Sequence, residues 1–193
     1  MRTARVGVAV LVIGAAWIGV PATGEEKPKN LLVNGSFEDG PDAGDFLPLH
    51  VGSTDVKGWT VTRAQVDYIG GHWKSAEGNR SLDLHGSPGL GGVKQAFATA
   101  KGRKYKVTFS MAANPNYQAE AGSVKVLCVR AAGKKEAFSF DAAGKTVEAM
   151  GWATKTWEFT AVEDETTLEF HTLEAEDPNC GPALDNVSVV EAQ

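Results

Sequence analysis

Recognition of a sugar requires an aromatic ring to stack on the apolar face of a pyranose, flanked by amide, carboxylate or guanidinium groups that take the hydroxyls. The run Tyr68-Ile69-Gly70-Gly71-His72-Trp73-Lys74 sets aromatics beside glycines, and Arg80, Asp83 and His85 follow within a few residues. In an extended segment Asp83 and His85 share one face. A second loop, Asn114-Pro115-Asn116-Tyr117-Gln118, adds amides and a tyrosine. The candidate ligand-binding residues are therefore Tyr68, His72, Trp73, Arg80, Asp83, His85, Asn114 and Tyr117. The plainer alternative is that large aromatics are mostly buried, and for Trp59 and Trp157 a core position is the expectation.

Covalent chemistry has much less support. His50, His72, His85 and His171 show neither His-x-x-x-His nor His-Glu-x-x-His spacing, and Ser87 and Ser110 lack the context of a nucleophile elbow. Carboxylates are plentiful, but no spacing pairs two of them across a cleft as glycoside hydrolysis needs. No catalytic residue is assigned, and His171 is expected on the solvent face of a strand.

The elements that must position these residues are strands. Lys104 to Met111 alternates cleanly, with Tyr105, Val107, Phe109 and Met111 on one face and Lys106, Thr108 and Ser110 on the other. Thr156 to Ala161 repeats the pattern through Trp157, Phe159 and Ala161, and Thr167 to Thr172 sets Leu168 and Phe170 opposite Glu169 and His171. Further short strands fit Leu31–Phe37, Val66–Ile69, Ser81–Leu84, Val93–Phe97, Val124–Val129, Ala137–Phe140 and Ala183–Val190, separated by turns such as Asp39-Gly40-Pro41, Lys101-Gly102 and Asp177-Pro178-Asn179. No stretch has a sustained helical period. One inward face per strand matches an all-β antiparallel sandwich of jelly-roll type, although an immunoglobulin-like sandwich also fits alternation.

The opening Asn30-Leu31-Leu32-Val33-Asn34-Gly35-Ser36-Phe37-Glu38 resembles the first strand of galactose-binding-like jelly rolls, a group that includes many carbohydrate-binding modules. The runs Val66 to Gly70, Glu77 to Leu84, Gln95 to Thr99 and Gly181 to Val189, together with Trp73, are similar to the bacterial choice-of-anchor C proteins. Those proteins in turn resemble plant cell-wall proteins of unknown function that associate with polysaccharides. The resemblance implies a structural calcium held by Glu38 and Asp185, which lie together in related jelly rolls. Physically, two close carboxylates repel unless a cation or a proton intervenes. The alternative is that backbone N–H groups satisfy both, and no Asp-rich calcium loop is present.

The 193 residues carry a formal charge of −5 with scattered basic positions, which argues against nucleic acid as a partner. Residues 1–22 have the arginines, the short apolar run and the Val20-Pro21-Ala22 ending of a cleaved export signal, 23–29 form a polar leader, and 30–193 one domain with no further membrane span. In an oxidising compartment Cys128 and Cys180 could pair, or Cys128 could be a buried small hydrophobe. Asn34, Asn79 and Asn186 begin Asn-x-Ser sequons, with Asn34 and Asn186 read as hydrogen-bonding residues of the fold. The expectation is a secreted, non-catalytic module that binds polysaccharide or another glycan of a cell envelope or matrix. An extracellular structural or adhesive protein with a protein partner is the rival.

Overall fold

The computed structural model describes residues 28–86, 89–117, 122–173 and 179–192. The expected export signal, most of the leader, and Ser87, Gln118, Asp177 and Pro178 lie outside the described residues. Eleven strands are present among them: β1 (Phe46–His50), β2 (Thr60–Arg63), β3 (Gln65–Ile69), β4 (Ser81–Asp83), β5 (Gly91–Ala98), β6 (Lys104–Ala113), β7 (Val124–Ala131), β8 (Lys134–Asp141), β9 (Ala153–Thr160), β10 (Glu165–Thr172) and β11 (Pro182–Glu191). They form a six-stranded sheet in the order β1-β3-β4-β11-β6-β9 and a five-stranded sheet in the order β2-β5-β10-β7-β8, with antiparallel pairing throughout. This is a jelly-roll sandwich. No helix among the described residues is long and apolar enough to cross a membrane.

The inward faces meet in one core. Tyr105, Val107, Phe109 and Met111 of β6 are buried as their alternation requires, and Leu168 and Phe170 of β10 are buried opposite them. Phe109 joins the two sheets, its ring lying 5.1 Å from Phe170 and 5.3 Å from Phe138 between centroids. Truncating such a side chain to Ala costs about 3–5 kcal/mol. Trp59 is in the core as expected, its ring 5.1 Å from Phe37. Trp157 is half-buried against the core at the edge strand β9.

The segment Leu31 to Phe37 is not a strand. It crosses between the sheets, and side-chain amides stand in for ladder bonds. Asn30 Nδ2 donates to Val187 O (3.0 Å), and its Oδ1 accepts from the N–H of Val189 (2.9 Å). On the other sheet Gln95 repeats the device, with Val33 N–H donating to Gln95 Oε1 at 2.7 Å and Gln95 Nε2 donating to Val33 O at 2.9 Å. A bulge in β11 between Asp185 and Ser188, with Asn186 in the left-handed region (φ 47°), turns Val187 toward Gly35, whose carbonyl accepts its N–H at 2.8 Å. A Cβ at Gly35 would lie 1.9 Å from Val187 O, so only glycine fits. Asn34 also sits at positive φ and ties down the turn, donating through Nδ2 to the carbonyls of Asp39 and Lys57.

Two strand-face expectations change. Glu169 and His171 do project from the face of β10 opposite Leu168 and Phe170, but they are only 5% and 6% exposed. Arg130 and Arg63 reach over that face to Glu169, so it is covered rather than solvated. Cys128 and Cys180 are both buried, with no disulfide joining them.

Candidate functional site

The loop 70–80 between β3 and β4 folds across one end of the six-stranded sheet, and its backbone is fixed on three sides. Gly71 N–H donates to Gly44 O at 2.8 Å, and Gly70 and His72 N–H donate to Asp45 O at 2.9 and 3.1 Å. Lys74 N–H reaches Val147 O at 3.0 Å, while Trp152 Nε1 donates to Lys74 O at 2.9 Å. Two carboxylates hold the far side. Ala76 and Glu77 N–H donate to Asp185 Oδ2 (2.8 and 2.9 Å), and Asn79 and Arg80 N–H both donate to Glu38 Oε1 at 2.8 Å. Gly78 turns between these clamps at φ 60°, where a Cβ would meet Glu38 Oε1 at 2.3 Å.

Thus Glu38 and Asp185 do serve one corner. Asp185 also accepts Asn186 N–H through Oδ1, and burial, reinforced by the nearby charge of Glu77, pushes its carboxyl up to about 7 despite these three donors. Calcium takes six to eight oxygens. Here the groups facing the two carboxylates are N–H donors, which an ion would have to displace. Among the described residues no group of three or more His, Cys, Asp or Glu converges.

Inside the loop lies an open cavity of about 580 Å³, lined by Glu38, Gly70, Gly71, Trp73, Lys74, Ser75, Gly78, Asn79 and Arg80. Arg80 lies with its guanidinium carbon 5.8 Å from the centroid of the Tyr68 ring and 3.9 Å, through Nη2, from Asp42. Trp73 forms a wall and is only 4% exposed, its Nε1 donating to Ser81 Oγ at 2.8 Å. The accessible aromatic surface is supplied next door. Phe46 is 46% exposed, its ring 5.8 Å from that of His72, which in turn is 5.5 Å from Trp73. Asn116 Nδ2 lies 3.2 Å from His72 Nε2, which draws the second loop to the same rim. Tyr117 packs half-buried against the core.

The remaining candidates are buried inside the sandwich. Tyr68 is fully buried and donates its hydroxyl to Phe37 O at 2.7 Å, and burial raises its pKa. Asp83, also buried, accepts from the N–H groups of His85 (2.9 Å) and Gly181 (3.1 Å) through Oδ1 and from Asn114 Nδ2 (2.9 Å) through Oδ2. His85 is in the core, its Nε2 3.0 Å from Thr172 Oγ1. These four side chains are buried and offer a ligand no surface. β3 is covered on both faces, which period-2 reasoning does not reveal. Phe46 was missed because β1 carries Pro48 and shows no alternation; its only signal was an aromatic in a short apolar run before the glycine-rich loop.

Fold and site together define a jelly-roll module with a polar cavity at its loop rim. Residues 30–190 match the family described as protein of unknown function DUF642, and the chain belongs to that family. It is 31% identical over 196 residues to Halomucin of Haloquadratum walsbyi, a match covering 97% of this chain and 2% of that protein. The chain thus spans about 2% of the length of this relative. Among solved structures it is similar to an arabinose-bound α-L-arabinofuranosidase (TM-score 0.54, 13% identity, 84% of this chain and 26% of that one). It is also similar to a family 35 carbohydrate-binding module from Clostridium thermocellum (TM-score 0.48, 13% identity, 76% and 99% coverage). At these identities the likeness is one of fold.

Proposed function

We propose that this chain is a non-catalytic, extracytoplasmic module that binds carbohydrate at the 70–80 rim. The observation that carries the reading is the cavity itself: Arg80, Asn79, Lys74 and Glu38 present donors and acceptors beside Trp73, next to the accessible Phe46 and His72 rings. A sugar needs both kinds of surface in one place. The backbone clamps hold the loop in shape before a ligand arrives, which lowers the entropy lost on binding. Secretion rests on the export signal read in residues 1–22.

A structural calcium at Glu38 and Asp185 is a separable part of the proposal. The test is retention of the purified chain on a panel of polysaccharides and soluble glycans, with calcium and with chelator, beside the variants Arg80→Ala and Phe46→Ala. At least one glycan should be retained by the parent chain and lost by both variants. If no glycan behaves in that way, the rim reading fails. A melting temperature that falls on chelation would favour the ion, and an unchanged one the amide clamp alone.

A further inference from the structure

The outer face of the five-stranded sheet carries a second set of polar groups, far more ordered than a solvated strand face. Its centre is Glu169, whose side chain is 6% exposed and which accepts from Thr62 Oγ1 at 3.0 Å. Arg130 reaches it through Nε at 2.5 Å and Arg63 through Nε at 3.3 Å. Burial alone would raise the Glu169 pKa, but Thr62 and Arg130 outweigh it and the group stays low and ionised. One buried carboxylate thereby orients two guanidinium groups by their Nε edges. The described residues give their Nη groups no acceptor.

Beside this anchor is a cavity of about 520 Å³, lined by Arg63, Cys128, Arg130, Lys135, His171 and Leu173 among others. His171 Nδ1 is buried there with no hydrogen-bond partner among the described residues, in a side chain more than nine-tenths covered. Such a group is costly to leave unpaired. Burial first, and then the Arg63 charge, hold the imidazole below its usual pKa, so the ring is neutral at pH 7. Arg63 has φ 71°, a left-handed conformation rare outside glycine, and strain of that kind clusters at binding sites. An adjoining cavity of about 420 Å³ shares Arg130 and Lys135 and adds Lys94 and Lys134. Five cations, with the carboxylates of Glu136 and Glu169 among them, therefore line these two cavities in a chain whose net charge is −5.

We propose that this face is a second binding site, for an acidic polysaccharide, with a uronate carboxylate seated against the free edges of Arg63 and Arg130. Planar carboxylate matches the guanidinium fork. Two joined cavities with repeated positive charge suit a polymer whose charge also repeats, and the half-exposed Leu173 offers apolar surface to the ring. The site is independent of the rim cavity.

The test is calorimetric titration of the full chain, at low salt, with trigalacturonate, neutral galactotriose, triglutamate and sulfate. Trigalacturonate should bind in preference to the other three. Arg130→Gln and Lys135→Ala should each weaken it about tenfold, the size expected for one hydrogen bond to a charged group. Both side chains lie at the surface, and a melt of each variant checks its fold. Arg80→Ala, which strips the rim, should leave this binding in place, so that failure of one site is distinguishable from failure of the other. No binding, equal binding of any of the three comparison ligands, or indifference to both substitutions would overturn the proposal.

Discussion

Asp83 is completely buried in β4, facing Asp67 across the β3–β4 ladder, and burial pushes its carboxyl up to about 8 despite three hydrogen-bond donors. In the unfolded chain the group titrates near 4. The folded pKa is raised, so the stability contribution is fully present below pH 4 and is lost as pH rises toward 8. Four pH units correspond to roughly 5 kcal/mol of lost stability. Asp83→Asn abolishes that dependence. The amide oxygen can keep the His85 and Gly181 N–H groups, but its NH₂ meets Asn114 Nδ2 donor against donor, at a cost of about 1–3 kcal/mol. The variant should therefore be less stable than the parent at pH 4 and more stable, by roughly 2–4 kcal/mol, at pH 8. In a domain of this size that is a melting shift of several degrees in each direction. Thermal melts of both proteins from pH 4 to 8.5 should cross; parallel curves would refute the reasoning.

Gly35→Ala drives a methyl group into Val187 O and should destabilise the fold by at least ~2 kcal/mol, seen as a lower denaturant midpoint with an unchanged slope. A neutral effect would mean that the segment 30–37 is not docked as described. Glu38→Gln retains an oxygen for the Asn79 and Arg80 N–H groups, whereas Glu38→Ala removes it. Amide exchange at these two positions should speed up in the alanine variant alone; equal acceleration in both would point to a lost cation instead of a lost acceptor.

The strands that alternate were readable in the sequence because one of their faces meets the core: β6 is the clear case. What alternation could not say is whether the other face meets water. In β10 it meets Arg63 and Arg130, and in β3 and β4 it meets further structure, so Glu169, His171, Tyr68 and Asp83 are all buried. β1 and β2 escaped notice because five residues containing Pro48, or four residues alone, show too little periodicity. Leu31 to Phe37 has the apolar composition of a strand, but its partners are the amides of Asn30 and Gln95, which no local pattern distinguishes from ordinary polar residues. The rim loop was legible from its glycines and aromatics. Which of its residues face outward was decided by contacts more than thirty residues away in sequence, such as Tyr68 with Phe37 and Trp152 with Lys74.

The pairing of Leu31 with Val189 and of Gly35 with Val187 runs antiparallel, so the domain's two ends leave it side by side. If the ends were pulled apart, as in a tethered surface protein under flow, the load would fall on the Leu31–Val189 bond and the Asn30 amide first and then on Gly35–Val187, one after another as in a zipper. Gln95, holding Val33 from the opposite sheet, is the restraint met between these two. The same amide side chains that replace a regular strand thus set the order in which the module would yield to mechanical force.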